Sequence, residues 1–380
     1  MPSHILKRKR ADGSVGYQLR IPVAKDRDGK PKFVIETFDK WADALARKNK
    51  ILSERDDGVV VIPQRTTFDD YLDSWLAGKK HNVKANTFEG YERTLDLYVR
   101  PYLGARRLDK LKPIELESWI SQLLDKGLSP RTVRYAFGLV SDALGHAVRM
   151  GMLPRNVAKS VRPPKQTRHE MQALDAEQVK LLLRTIKGSK HEVLLRLLLY
   201  TGLRPSEALG LKWSDIDFNS GVVKVQRSLT WTSKGWLLGD TKTASARRSI
   251  PIASWMVSLL TNHRRLQAIR RMKIADVWQD HELVFADEIG GPLRPANVLK
   301  RHLRPALRKA GLPEKLRLYD LRHSTASLLL AAGVNAKVTS ERLGHSTVRM
   351  TLDTYSHITP TMQQAASDRL DVILGDGSST

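Results

Sequence analysis

Three segments in the second half of the chain carry residue types able to handle a phosphate. In Leu199-Tyr200-Thr201-Gly202-Leu203-Arg204-Pro205-Ser206-Glu207-Ala208-Leu209 an apolar helix ends at Gly202. Pro205 fits the first position of a new helix, with Glu207 in its positively polarised first turn. Arg204 is thereby set in a turn beside a helix N-terminus, a combination suited to an oxyanion or a phosphate. Taken alone, it is equally a surface arginine at a tight corner. In Tyr319-Asp320-Leu321-Arg322-His323, Arg322 opens an apolar run, Ser327 to Ala332. Charge at the edge of such a helix requires a partner. The partner is either a phosphate, with Arg322 completing a two-arginine fork, or a structural carboxylate. In Leu343-Gly344-His345-Ser346-Thr347-Val348, Gly344 reads as a helix stop and Ser346 as an N-cap. His345 is wedged between two helices, where most histidines are structural. Ten residues later, Tyr355 follows Val348 and Leu352 at i, i+4 and i+7 on one helical face. Read locally, it is a core tyrosine.

The segments take on another meaning in combination. Thr-Gly-Leu-Arg-Pro-Ser-Glu-Ala-Leu at 201–209, Asp-Leu-Arg-His at 320–323, Leu-Gly-His-Ser at 343–346 and Thr-Tyr-Ser-His at 354–357 together resemble the tyrosine recombinases, the family of phage integrases, Cre and the Xer proteins. No one motif is specific, but four in order near the C-terminus of a basic chain make a chance match remote. The resemblance implies that Tyr355 attacks a DNA phosphodiester, forming a 3′-phosphotyrosyl bond and releasing a 5′-hydroxyl. It implies that Arg204 and Arg322 clamp the non-bridging oxygens and that His345 hydrogen-bonds the phosphate. Neither metal, ATP nor any other cofactor is needed, and a zinc trio of His323, His345 and His357 is set aside.

The family's general acid is a lysine in a β-hairpin between the two arginines. Lys242, in Thr241-Lys242-Thr243 and followed by Arg247-Arg248-Ser249-Ile250-Pro251, matches best; Lys234 and Lys224 lack that flanking pattern. An ammonium held against phosphate can donate a proton near neutral pH. One position departs from the family. The histidine three residues before the second arginine is replaced by Tyr319. A phenol is a poor base at neutral pH but a competent hydrogen-bond donor, so Tyr319 retains a phosphate contact while the base role is open. His323 is expected to be structural.

The elements that must position these groups suggest a multidomain, mainly α protein with small β-sheets. Residues 1–62 read as a three-stranded sheet plus a helix. Tyr17, Leu19 and Ile21 alternate with polar neighbours, Phe33, Ile35 and Thr37 continue the pattern, and 26–30 form a turn. The resemblance makes this an arm-type DNA-binding domain. Residues 66–162 read as a four-helix core-binding bundle. Pro113 and Ser129-Pro130 open its later helices, and Gly127 and Gly151 close them. Residues 163–173 form a basic linker containing Pro163-Pro164. Residues 174–374 form the α+β catalytic domain, and 375–380 fray. Met362, Ala365, Ala366, Leu370 and Ile373 approximate an apolar face, which on the family pattern docks on a neighbouring protomer of a homotetramer.

Charge and composition agree with a polyanionic partner. The 380 residues hold 64 Lys+Arg against 40 Asp+Glu, a formal +24. It divides as +5 over 1–62, +8 over 63–169 and +11 over 170–380, so the basic character runs through the whole chain. The absence of cysteine excludes disulfides, thiolate catalysis and cysteine-based zinc sites. No run approaches the ~20 apolar residues of a membrane span, and no secretory pattern follows the N-terminus. The chain therefore reads as a cytoplasmic, nucleoid-associated integrase that inserts and excises a phage or other mobile element. Double-stranded DNA at core and arm-type attachment sites is the expected partner, with a host bending factor and an excision factor as further candidates. The alternatives are a chromosome-dimer resolvase, against which the N-terminal β unit argues, and a DNA-binding regulator on the same scaffold without catalysis.

Overall fold

The computed structural model describes residues 4–9, 13–25, 31–56, 66–166, 172–240, 247–355, 367, 370, 371 and 374. Lys242, His357 and most of the proposed docking face from Met362 onward lie outside them, as does the 26–30 turn. For Tyr355 the backbone is described and the side chain is not. The chain divides into two compact units, Met1–Arg168 and His169–Thr380. The fold class expected from the sequence, mainly helical and multidomain with small sheets, is the one observed.

The first unit contains two separate cores. Strands β1 (Ile5–Lys9), β2 (Val15–Lys25) and β3 (Pro31–Phe38) form an antiparallel meander, and helix α1 (Trp41–Asp56) follows. Leu19 and Ile21, two apart on β2, point to one face and pack with Ile5, Val34, Ala44 and Ile51. The other core is built by α2 (Phe68–Lys79), α3 (Ala85–Tyr98), α4 (Pro113–Asp125) and α5 (Pro130–Arg149). Thr67 caps α2 through a reciprocal box with Asp70, and Ser129 caps α5. Trp75 and Trp119 are fully buried among Phe68, Leu72, Leu116 and Leu144.

The second unit opens with α6 (Ala176–Thr185), α7 (Glu192–Thr201) and the short α8 (Pro205–Leu209). Strands β4 (Ile216–Asp217), β5 (Val222–Val225) and β8 (Arg248–Pro251) form one antiparallel sheet; β6 (Arg227–Thr232) and β7 (Gly235–Asp240) form a separate hairpin. Then come α9 (Ser254–Lys273), α10 (Pro295–Val298), a π-helical turn at Leu299–Leu303, and α11 (Arg304–Lys309). The chain ends with α12 (Leu318–Ala331), α13 (Ala336–Leu343) and α14 (Val348–Tyr355). Helix α7 is apolar on most of its circumference because its residues belong to the core that also takes in Val223, Ile250, Met256 and Leu321. No helix among the described residues is long and apolar enough to cross a membrane.

Candidate active site

Arg204 is the N-cap residue of α8, with extended backbone. The sequence suggested that the helix N-terminus beside it would meet an anion. In the structure this end is already satisfied. The Arg204 N–H donates to Glu207 Oε2 at 3.0 Å, its Nη1 donates to Glu207 Oε1 at 2.6 Å, and its Nη2 donates to the Gly344 carbonyl at 3.1 Å. Helix α8 is five residues long, so the charge available here is the guanidinium and not a helix dipole.

Glu207 is buried and shared between two arginines. Arg248 Nη2 donates to its Oε2 at 2.9 Å, and Arg248 Nε donates to the Arg342 carbonyl at 2.7 Å. Burial pushes the Glu207 carboxyl up, but the Arg248 hydrogen bond and the charges of Arg248 and Arg204 outweigh it and hold the group below its ordinary value. Glu207 thus remains ionised and fixes both guanidinium groups. Arg248 is the first residue of β8, so it also fastens the strand after the Lys242 segment to α8 and to the end of α13.

Arg322 lies in the second turn of α12 and is 1% exposed. Its Nη1 donates to the Gly202 carbonyl at 2.8 Å; its Nη2 is buried and meets no acceptor among the described residues. Burial, with the charge of Arg204, pushes its pKa down to about 10, so the group is still protonated at neutral pH. Among the described residues Arg322 forms no salt bridge, although the charge of Glu207 is felt at it. Thr325, one turn on, donates to the Leu199 carbonyl at 2.8 Å and binds α12 to the end of α7. Gly202 adopts a left-handed φ of 67°, and a Cβ there would stand 2.4 Å from Leu343 Cδ2. Helices α7, α12 and α13 therefore converge on this turn.

His345 follows the left-handed C-cap Gly344, and its N–H donates to the Ser340 carbonyl at 3.0 Å. Its Nδ1 lies 2.8 Å from Thr351 Oγ1. Burial, and then Arg322 and Arg204, push the imidazole down to about 4, so it is neutral at pH 7. Helix α14 starts at Val348, and Leu352 is 52% exposed while Thr351 is fully buried. The stripe through Val348 and Leu352 is thus not a core stripe; the buried side of α14 runs through Thr351. Tyr319, in the first turn of α12, is 38% exposed with its ring edge-to-face on His323 at 5.2 Å. Burial pushes His323 down against the pull of Asp320, and its charge is felt at His345.

The structure thus brings Arg204, Arg322 and His345 into one charged neighbourhood, with Tyr319 at its edge. Glu207 and Arg248 entered the sequence argument only as a first-turn acid and as a flank of Lys242. An acid three residues after an N-cap arginine is a capping-box pattern and could have flagged Glu207. Arg248 has no local signal, because its carboxylate lies 41 residues away.

Residues 172–362 match the sequence profile of the phage integrase family, and residues 67–124 match the phage integrase N-terminal SAM-like domain. A XerC-like tyrosine recombinase of Caldanaerobacter subterraneus subsp. tengcongensis is 28% identical over 95% of this chain and 97% of its own length. The tyrosine recombinase XerC of Agrobacterium fabrum is 30% identical over 73% of this chain and 86% of its own. Among solved structures, the Tn1549 transposon integrase in complex with transposon right end DNA superimposes with a TM-score of 0.67 at 25% identity, covering 80% of this chain and 99% of that one.

Proposed function

The chain belongs to the phage integrase family, tyrosine-type site-specific recombinases that cut and rejoin DNA through a 3′-phosphotyrosyl intermediate, and on that premise we propose that Arg204, Arg322, His345, Lys242, Tyr319 and Tyr355 form its active site. The observation that carries this reading is the buried Nη2 of Arg322, which has no acceptor among the described residues and lies in the field of Arg204. A charged donor left without a partner in a protein interior is costly, and a phosphate oxygen would satisfy it.

The roles follow from the chemistry. Tyr355 attacks phosphorus through its phenolic oxygen, and the bond to the 5′-oxygen breaks. Lys242 delivers a proton to that leaving oxygen, and the net proton movement is from the phenol to the new 5′-hydroxyl. Arg204 and Arg322 hold the non-bridging oxygens and oppose the charge that grows in the transition state. His345 is neutral and supplies one N–H donor; Tyr319 supplies a second from the edge of the site. Glu207 and Arg248 are positioning residues that hold Arg204 in place. The 5′-hydroxyl of a partner strand then reverses the step, which conserves the bond energy.

In this reading the enzyme acts as a homotetramer on synapsed duplexes at the host nucleoid. The N-terminal sheet engages arm-type sites, the bundle engages core sites, and a bending factor and an excision factor set direction. The test is a nicked suicide duplex spanning the junction of the element's joined ends. Wild-type protein should form a covalent adduct, Tyr355→Phe none, and Arg322→Gln should slow adduct formation by about 10²–10³-fold, as removal of a transition-state donor does. Absence of any adduct with wild type on that duplex would overturn the reading.

A further inference from the structure

His345 has two ring nitrogens and, being neutral, one proton to place between them. Which nitrogen carries it decides whether the ring offers a phosphate a donor or a lone pair. The nitrogen on the inner side, Nδ1, lies 2.8 Å from the hydroxyl of Thr351. Thr351 is 0% exposed, so this hydroxyl is shielded from bulk solvent and needs a hydrogen-bond partner inside the fold. It sits on α14, four residues before Tyr355 and therefore about one helical turn from it on the same helix.

We propose that Thr351 is a positioning residue for strand cleavage: its buried hydroxyl donates to Nδ1 of His345 and so leaves Nε2 as the N–H that meets the scissile phosphate. The inference rests on the reading of His345 as a phosphate donor given above. It adds a coupling that this reading lacks. The hydrogen bond forms only when α14 packs against the Gly344–His345 turn, so the helix that delivers the nucleophile also sets the proton of the phosphate donor. A detached α14 leaves His345 free to place its proton on either nitrogen.

The charged groups about the ring agree with this arrangement. Burial, and then the charges of Arg322, Arg204 and Arg248, oppose a second proton on the imidazole, so in the DNA-free protein the ring carries one proton at neutral pH. The threonine hydroxyl then has to supply the proton of the inner hydrogen bond if the outer nitrogen is to donate. This is the role that outer-shell partners play for ligating histidines, where their loss costs about 10–100-fold in activity.

Two measurements on the full-length protein test the proposal. The first is single-turnover cleavage of the nicked suicide duplex by Thr351→Val, which keeps the shape and removes the hydroxyl, and by Thr351→Ser, which keeps the hydroxyl. The valine variant should cleave about 10–100-fold more slowly at unchanged duplex affinity, and the serine variant should recover to within a few-fold of wild type. Wild-type cleavage by the valine variant, or equal slowing in both variants, would overturn the proposal. The second is the ¹⁵N spectrum of histidine-labelled protein without DNA, with His345→Gln used to assign the ring. Wild type should show the proton on Nε2, and Thr351→Val should show mixed tautomers. A proton on Nδ1 in wild type would refute the proposal even if cleavage proceeds. This spectrum does not depend on cleavage, so a failure of the catalytic reading and a failure of the Thr351 role are told apart.

Discussion

Burying Arg322 with one terminal nitrogen unpartnered leaves a charge that water no longer solvates. An unsatisfied buried donor costs about 1–3 kcal/mol, more when charged, and a protein holds such a group only where something else offsets it. The same neighbourhood holds His345 neutral, and elsewhere in the second unit burial, with His302 and Lys190, pushes His191 to about 4. Both folded values lie below the ordinary 6.5, so between pH 6.5 and about 4 the unfolded chain binds protons that the folded chain refuses. The stability these rings contribute is therefore complete above pH 6.5 and declines as pH falls. Glu207 acts in the same direction lower on the scale: its depressed carboxyl contributes fully above 4.5 and is lost as pH falls through its folded value. The melting temperature of the DNA-free protein should drop steadily from pH 6.5 to 4, and His345→Gln should flatten part of that drop. A flat profile measured by calorimetry would contradict the burial of these rings.

At the scale of elements, the Gly202 turn is the joint on which the site depends. It ends α7, precedes the Arg204 cap of α8, receives Nη1 of Arg322 from α12 and lies against Leu343 of α13. A methyl group there faces both a left-handed backbone, worth about 1–2 kcal/mol, and the Leu343 side chain. Gly188 also has a left-handed φ, at 77°, but has nothing within 4 Å of its would-be Cβ. Denaturant unfolding should therefore show Gly188→Ala losing about 1–2 kcal/mol and Gly202→Ala losing clearly more. Equal losses would mean that α13 does not pack on this turn. Arg248 ties β8 into the same joint, which explains why a strand that carries no reacting group ends beside the two arginines.

For the whole molecule, the decisive property is charge of one sign over its full length. The +24 is shared among three stretches of sequence, and β1 alone presents Lys7, Arg8 and Lys9 in an exposed row. Ile5, on the same face of the strand as Lys7 and Lys9, enters the core and anchors the start of β1. Each cation that meets a DNA phosphate releases a counterion, and log Kobs falls with log salt by about 0.9 per contact. Titration of a non-cognate duplex across salt concentrations should give a steep linear slope. Lys7→Gln with Lys9→Gln should make that slope shallower by about 1–2. An unchanged slope would place the β1 row away from DNA.

The sequence by itself determined the residue types, their order and the local stops that surround them. Gly202 and Gly344 end helices, Pro205 starts one, and Arg204, Arg322, His345 and Tyr355 stand in the family's order. These are short-range properties, set by backbone preference and spacing, and the mainly helical class follows from them. Pairing and burial are not short-range. Arg322 finds its acceptor 120 residues away at Gly202, Arg204 reaches 140 residues to Gly344, and Arg248 reaches 41 to Glu207. Only the tertiary structure decided that Arg322 is buried with a donor to spare, that one carboxylate holds two arginines, and that Thr351 rather than Leu352 faces inward on the helix of Tyr355. A helical pattern can nominate either face, and it is the packing of α14 against the Gly344–His345 turn that chooses between them.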